Sequence, residues 1–415
     1  MEWSYDDSTK TVSVSGYGMI NDATELSQYL DKTDKISVMP GVTKTDRNVF
    51  SNIGGVSEVV LPDGFLSIGD NSFNLSRNLK TINFPDSLES IGNEAFMGCT
   101  ALENPTISKG VQTIGTNAFA ECTSITAFDV SEENETFTEI DGVLFTKDKK
   151  ELVMYPAGKT DKEYAVPDGT ERIREKAFSY NSNIEKIKLP DSLAEIGNGA
   201  FYFCKELTDL QASENSGLEV IGEYAFYGCS LRSVYIPYGT ESVSEGAFKS
   251  CDTLTYIDFP GTVSKIGENA LYGTYSGLKI GGYGKTAAEY AAEYDIPFTQ
   301  TVRVRIDGHE IEFDVPARIK DGCTMVPMRK IFEALGADVK WDEETQTARG
   351  EKPGTICTFA IGDRTLYKNG NAIELIAPAV IENDRTLVHV RAIAEVFGAK
   401  VEWDGNTGLV DICSK

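Results

Sequence analysis

The feature that most constrains this chain is an internal repeat with a period near 23 residues. The string Ile-Gly-x-x-Ala-Phe recurs, exactly or loosely, in eight copies that begin at Ile68, Ile91, Ile114, Ile173, Ile196, Ile221, Val243 and Ile266. A large apolar residue follows every start after five positions, at Phe73, Phe96, Phe119, Phe178, Phe201, Phe226, Phe248 and Leu271. A single repeat cannot bury these side chains by itself. The period therefore predicts a solenoid in which neighbouring repeats share one core.

A second column of the repeat accounts for most of the cysteines. Five of the eight lie eight positions after a start, at Cys99, Cys122, Cys204, Cys229 and Cys251, and Ser76, Asn181 and Thr274 take their place in the other copies. We therefore interpret the column as buried free thiols, with disulfide partners as the less favoured alternative. The chain has no C-x-x-C pair and only two histidines, so a zinc site is not expected.

After the cysteine column comes a strand pattern, L-x-x-I-x-L, which ends in proline at Pro85, Pro190, Pro237 and Pro260. Alternate side chains of a strand point to opposite faces, and proline cannot donate to a sheet. Each repeat is thus predicted to add one strand to a sheet.

Together these columns resemble the BspA-like class of bacterial leucine-rich repeats, whose hallmark I-G-x-x-A-F-x-x-C-x-x-L-x-x-I-x-L-P is matched well by residues 91–107 and 196–210. The resemblance covers residues 1–299 and implies a leucine-rich-repeat solenoid. We expect a hairpin cap within 1–44, a degenerate first repeat centred on Phe50, and a closing cap at 278–299 with a helix from Thr286 to Tyr294. Residues 131–172 exceed one repeat. They predict an inserted β-hairpin with a charged turn at Lys147 to Lys150, replacing a regular helical segment.

Residues 300–415 form a different, duplicated unit. The motif Val326-Pro327-Met328-Arg329 recurs as Val388-His389-Val390-Arg391. Gly336 and Trp341 recur at the same spacing as Gly398 and Trp403. Each half predicts a strand, a helix (Met328 to Leu335, then Ala392 to Phe397), a glycine cap and a second strand. This segment is similar to the N-terminal domain of copper amine oxidases, which occurs as a stalk in secreted Gram-positive proteins. His389 departs from the motif, where proline is usual. The whole chain is predicted to be mixed α/β, a solenoid followed by a small α+β domain.

The composition limits the classes of partner that this chain is expected to bind. A formal charge of −25 disfavours binding to nucleic acid and to anionic lipid. No apolar run is long enough to span a membrane. The start at Met1 lacks the features of a signal peptide, which is therefore either absent or already removed. The family resemblance implies an extracellular or cell-surface location.

Little in the sequence favours catalysis. Copper amine oxidase chemistry needs three histidines on copper and an Asn-Tyr pair, and this chain has two histidines and no such pair. A cysteine nucleophile paired with His389 stays open as a minor alternative to core thiols. We expect no enzyme activity and no catalytic, cofactor-binding or metal-binding residues.

A binding surface is expected on the outward positions of the predicted strands. The candidate partner-binding residues are Lys186, Lys188, Asp209, Gln211, Ser233, Tyr235, Tyr256 and Asp258. Exposed tyrosines flanked by acids suit recognition of a polypeptide or a sugar face. The alternative is a solvated sheet whose tyrosine rings cover their neighbours. The resemblance implies adhesion to an extracellular protein, either a host matrix protein or receptor or another bacterial surface protein. A glycan- or cell-wall-binding targeting module is the alternative function.

Overall fold

The computed structural model describes residues 1–213, 215–311, 313, 315–382 and 385–414. The chain divides into two compact units. The first contains Met1–Arg232, Val243–Leu254 and Gly267–Ser276, and the second contains Ser233–Ser242, Thr255–Ile266 and Gly277–Lys415.

The first unit opens with the predicted hairpin cap. Strand β1 (Glu2–Asp6) pairs antiparallel with β2 (Thr11–Ser15), and β3 (Gly18–Ile20) follows. Val12 and Val14 alternate inward from β2 and are fully buried. Two short 3-10 helices, Thr24–Gln28 and Leu30–Lys32, complete the cap.

Each repeat of the first unit contributes two short strands, which belong to two rows of parallel pairing. The first row is the one predicted from the L-x-x-I-x-L pattern: β4 (Lys35–Val38), β6 (Glu58–Val60), β8 (Thr81–Ile82), β10 (Thr106–Ile107), β12 (Asp129–Val130), β16 (Glu163–Ala165), β18 (Lys186–Lys188) and β20 (Asp209–Gln211). The second row begins with β5 (Val42–Thr45) and continues with strands that contain the isoleucine that starts each repeat: β7 (Ser67–Ile68), β9 (Ser90–Ile91), β11 (Thr113–Ile114), β17 (Arg172–Ile173), β19 (Glu195–Ile196) and β21 (Val220–Ile221). The sheet orders include β1-β2-β4-β6-β8, β11-β9-β7-β5-β3, β10-β12 and β16-β18-β20.

The segment that joins the two rows is a series of turns. The prediction of a regular helical segment in the repeats is wrong for the described residues of the first unit, where helix is confined to the 3-10 turns of the cap. The reason is a left-handed backbone at the third and seventh positions after each start, as at Asn117 (φ 57°) and Glu121 (φ 58°). A residue in that region interrupts a right-handed helix.

The core is the predicted apolar column. The rings of Phe73 and Phe96 stack with centroids 5.2 Å apart, and those of Phe201 and Phe226 stack at 5.1 Å. Phe50 stacks on Phe73 at 5.3 Å, so the degenerate first repeat is centred where the sequence predicts it. These rings are fully buried. The interlocking column confirms the predicted solenoid.

The long insertion forms part of the solenoid. It contains β13 (Phe137–Ile140), β14 (Val143–Thr146) and β15 (Glu151–Met154), and β14 pairs antiparallel with β15 as predicted. Strand β13, which was not predicted, pairs antiparallel with β14. Strand β15 also pairs parallel with β17, and the Tyr155 ring stacks on Phe178 at 4.9 Å. The hairpin therefore takes the place of one repeat, because it contributes both a paired strand and a stacked ring to the core.

The second unit begins with a sheet of order β22-β24-β26-β27. Its strands are β22 (Ser233–Tyr235), β24 (Tyr256–Phe259), β26 (Lys279–Gly282) and β27 (Phe298–Gln300), and α1 (Lys285–Glu293) lies between the last two in sequence. Two further short strands in this stretch, β23 (Ser242–Val243) and β25 (Lys265–Ile266), belong to another sheet. Helix α1 lies where the sequence predicts the helix of the closing cap.

The rest of the second unit contains the duplicated strand-helix-strand pattern. Its elements are β28 (Arg303–Ile306), β29 (His309–Glu310), β30 (Arg318–Lys320), β31 (Cys323–Pro327), α2 (Met328–Ala334), β32 (Asp338–Asp342), β33 (Thr347–Lys352), β34 (Thr355–Ala360), β35 (Thr365–Lys368), β36 (Asn371–Glu374), β37 (Val380–Glu382), β38 (Arg385–His389), α3 (Val390–Val396), β39 (Lys400–Asp404) and β40 (Leu409–Cys413). The two halves meet where β31 pairs antiparallel with β38. Helices α2 and α3 bury Phe332 and Ile393 in a common core. The mixed α/β fold class is as predicted.

Candidate functional site

Four of the predicted binding residues lie side by side in the first unit. Strands β18 and β20 pair in parallel, with Lys186 opposite Asp209 and Lys188 opposite Gln211. The Lys186 ammonium is 4.0 Å from the Asp209 carboxylate, and the Gln211 amide donates to the same carboxylate at 2.9 Å. Lys188 and Gln211 are exposed. The structure thus brings these four residues into one polar surface with mixed charge.

The other four lie on neighbouring strands of the second unit, where β22 and β24 pair with Ser233 opposite Tyr256 and Tyr235 opposite Asp258. The rings of Tyr235 and Tyr256 are tilted against each other at 5.7 Å. Tyr235 is 64% exposed, whereas Tyr256 is half-buried. Burial and the Asp258 carboxylate raise the pKa of Tyr256.

The prediction that Asp258 is exposed is wrong. Its exposed fraction is 5%. The carboxylate accepts hydrogen bonds from the Thr301 hydroxyl at 2.7 Å, the Arg303 guanidinium at 3.1 Å and the Tyr256 hydroxyl at 3.1 Å. A buried carboxylate needs such donors to offset its loss of water. Asp258 is therefore a structural residue that joins β24 to the segment around β28.

The thiols of the cysteine column lie in the core. Cys99, Cys122, Cys204, Cys229 and Cys251 are buried and free, as predicted. Burial raises the pKa of Cys99, Cys204 and Cys251 to about 12. A nucleophilic cysteine needs the thiolate, which these sites disfavour.

In the C-terminal domain Cys323 and Cys357 are also buried and free, whereas Cys413 is exposed. Burial raises the pKa of Cys357 to about 12 and raises that of Cys323. His389 is buried, and its Nδ1 has no hydrogen-bond partner. Among the described residues no group of three or more His, Cys, Asp or Glu side chains is arranged to hold a metal ion. Within that same part of the chain, no helix is both long and apolar enough to cross a bilayer.

Sequence reasoning missed an aromatic cluster on the turns of the first unit, which we call the aromatic turn patch. It consists of Tyr180, Tyr202, Phe203, Tyr224 and Tyr227. The signal was present in the repeat alignment, because these residues occupy the third, sixth and seventh positions after the starts at Ile173, Ile196 and Ile221. The strand pattern alone does not include these columns.

Stacked parallel rungs, a shared aromatic column and a terminal domain with two helices define a leucine-rich-repeat solenoid with an appended α+β domain. Comparison with known families agrees with this class. Residues 29–158 and 167–281 match the BspA type leucine rich repeat region in six copies, and residues 305–412 match the copper amine oxidase N-terminal domain. The chain belongs to the BspA type leucine rich repeat family.

Solved structures show the same solenoid. The pneumococcal vaccine antigen PcpA is similar with a TM-score of 0.54 and 24% identity, over 69% of this chain and 80% of that chain. A leucine rich cell surface protein from Faecalibacterium prausnitzii is similar with a TM-score of 0.51 and 25% identity, over 70% of this chain and 94% of that chain.

The C-terminal domain also has a curated relative. A primary amine oxidase of Klebsiella aerogenes is 33% identical over 73 residues, which are 18% of this chain and 10% of that protein. The likeness is thus limited to a small part of the oxidase.

Proposed function

We propose that this chain is a non-catalytic cell-surface or secreted protein that binds another protein through its repeat surface. The observation that carries the proposal is the contrast between the two sides of the repeats. The thiols of the cysteine column are buried and hydrogen-bonded, whereas the outward strand positions present charged and aromatic side chains. Membership of the BspA type family and the likeness to a leucine rich cell surface protein support this function.

Binding is assigned to the outward strand positions of each unit, which are exposed or half-buried. In the first unit these are Lys186, Lys188, Asp209 and Gln211, and in the second Ser233, Tyr235 and Tyr256. Aromatic rings supply rigid contact area at interfaces, and mixed charges select the partner. The preferred partner is an extracellular protein, either of a host matrix or of another bacterial surface.

Binding of the purified chain to immobilised extracellular-matrix and bacterial-envelope proteins tests the proposal. Two variants, Tyr235→Ala with Tyr256→Ala and Lys188→Ser with Gln211→Ser, address the second and first units separately. At least one is expected to weaken binding about tenfold, as loss of interface side chains commonly does. Tyr17→Ala is the matched control, because Tyr17 is a 91% exposed aromatic residue of the cap. Wild-type affinity in both variants for every identified partner refutes the assignment.

The tilted Tyr235–Tyr256 pair also favours a second candidate, a glycan- or cell-wall-binding role, because exposed rings can stack on sugar faces. An array of host and cell-wall glycans separates the two. A signal that is lost in the tyrosine variant, in the absence of protein binding, supports this candidate over the first.

A further inference from the structure

Three of the five residues of the aromatic turn patch lie at backbone positions that rarely hold aromatic residues. Tyr180, Phe203 and Tyr224 have left-handed backbones, with φ values of 60°, 55° and 53°. At the equivalent positions other repeats place no aromatic residue. They hold asparagine or glycine in several copies (Asn71, Gly98, Asn117, Gly228, Asn269 and Gly273) and leucine, serine or a charged residue in others (Leu75, Glu94, Glu121, Lys176 and Ser250). A bulky side chain is disfavoured there. Three such residues in consecutive repeats indicate that the rings serve a purpose other than turn formation.

The rings form a continuous surface. Tyr202 stacks on Tyr227 with centroids 4.9 Å apart, and Tyr180 stacks on Phe203 at 5.9 Å. Edge contacts join the two stacks, since Phe203 lies 4.9 Å from Tyr202 and 5.1 Å from Tyr227. All five rings are partly exposed. The patch is therefore neither core nor a set of isolated surface residues.

Two of the rings lie against glycines of the next turn. A Cβ atom added to Gly246 would stand 2.5 Å from Tyr224 Cε1, and one added to Gly228 would stand 3.1 Å from Phe203 Cδ1. The glycines thus let the rings lie along the surface. The same rings are partly exposed, so part of their area faces solvent.

Positive charge already lies over this surface. The Lys176 ammonium is 3.7 Å from the centre of the Tyr202 ring, and burial lowers the pKa of Lys176. Lys205 and Lys249 lie 5.7 Å and 5.9 Å from the centres of Phe203 and Tyr224. The faces of aromatic rings attract ammonium and guanidinium groups in this way. In the described part of the chain, no lysine or arginine lies over Tyr180 or Tyr227, so these two rings have no cation of their own chain.

Carboxylates also lie near two of the rings, Tyr180 and Tyr224. The Tyr224 hydroxyl donates to the Glu245 carboxylate at 2.7 Å, and Glu223 also acts on Tyr224. Glu94 and Glu121 act electrostatically on Tyr180. With a formal charge of −25 on the chain, the region favours a positively charged partner.

We propose that the aromatic turn patch is a docking surface for a lysine- or arginine-rich segment of a partner polypeptide. Cationic side chains of the partner lie over Tyr180 and Tyr227, and the nearby glutamates pair with the neighbouring cations. This surface shares no residue with the strand positions of the proposed function, so either one can fail while the other stands.

The test uses a peptide of alternating lysine and glycine, together with the same peptide carrying acetylated lysines. Binding to the full chain is measured by isothermal titration calorimetry near physiological salt. The key variant is Phe203→Gly with Tyr224→Asn, which installs residue types that other repeats use at these positions and leaves the net charge unchanged. A second variant, Tyr180→Asn with Tyr227→Ser, covers the case in which the first does not fold. Tyr17→Ser is the matched control at a distant exposed tyrosine.

The lysine peptide is expected to bind the wild type and the control equally, to bind the folded variants about tenfold more weakly, and to lose binding on acetylation. Thermal unfolding establishes that each variant is folded. Equal binding by wild type and variants overturns the proposal, because attraction would then come from general acidity alone. Binding of neutral oligosaccharides that depends on the same rings, without binding of the peptide, also overturns it and assigns the patch to glycans. Loss of peptide binding in Tyr235→Ala with Tyr256→Ala, but not in the patch variants, would overturn the proposal and assign the binding site to the strands.

Discussion

At the scale of single residues, the cysteine column shows how one position can be recognised from sequence and explained by structure. The thiols of Cys99 and Cys204 donate to the carbonyl oxygens of Phe73 and Phe178, each at 3.0 Å. Ser76 makes the same bond to Phe50 at 3.0 Å. The column therefore requires a small donor that satisfies a buried carbonyl of the preceding turn.

The first prediction follows from this bond. Cys204→Ser should leave the free energy of unfolding nearly unchanged, because serine already fills the column at Ser76. Cys204→Ala should lower it by about 1 kcal/mol, since the Phe178 carbonyl loses its donor. Urea denaturation of both variants provides the measurement. If alanine is tolerated as well as serine, the hydrogen bond does not explain the column.

His389 leads to a prediction about pH. Burial, aided by the nearby Arg391 charge and opposed by Glu395, lowers the pKa of His389 from its ordinary value of 6.5. The unfolded chain thus takes up a proton before the folded chain does, so the free energy of unfolding should fall as pH decreases below 6.5. His389→Gln should remove this part of the pH dependence. Denaturation curves over a pH series for both proteins test it, and identical profiles would show that His389 does not contribute.

At the scale of secondary-structure elements, the aromatic column makes neighbouring repeats depend on one another. Phe201 lies between Phe178 at 4.7 Å and Phe226 at 5.1 Å and is fully buried. Phe201→Ala is predicted to lower the free energy of unfolding by about 3–5 kcal/mol, through lost burial and the cavity left behind. Phe201→Leu should cost clearly less, because Leu271 fills the same column. Denaturation curves of the two variants measure both losses. An equal loss of the free energy of unfolding in the two variants would argue against a stack that depends on side-chain size.

The elements also show where sequence reasoning stops. The caps, the hairpin of β14 and β15, and helix α1 could be predicted because each has a local signal in turn residues or alternation. Strands such as Ser90–Ile91 are two residues long, too short for alternation to show. Helix α3 begins at Val390, whereas the sequence places its start at Ala392, because the usual proline is replaced by His389 and the boundary loses its marker.

At the scale of the whole molecule, the sequence predicts which strands carry the candidate binding residues, but it predicts their exposure only in part. Alternation correctly assigns Tyr235 to the outer face of its strand. It also assigns Asp258 there, yet it contains no information about Thr301 and Arg303, which lie more than 40 residues away in sequence and cover that carboxylate. A contact between distant segments of the chain has no local signature. The aromatic turn patch was missed for a different reason, since its columns were visible but had no strand or core role to draw attention to them.

The last prediction concerns the contact that the sequence could not show. The side chains of Arg303 and Asp258 are 13% and 8% exposed, and Arg303 also donates to the Ile236 carbonyl and lies 3.5 Å from Glu310. Arg303→Met leaves the Asp258 carboxylate buried without its cation, so we expect a loss of about 3–5 kcal/mol in the free energy of unfolding. Combining it with Asp258→Asn removes the unpaired negative charge, so the double variant should be more stable than Arg303→Met alone. Thermal and urea unfolding of the full chain measure all three variants. Strictly additive losses would mean that the two residues act independently and that this ion pair does not hold β24 to β28 in the second unit.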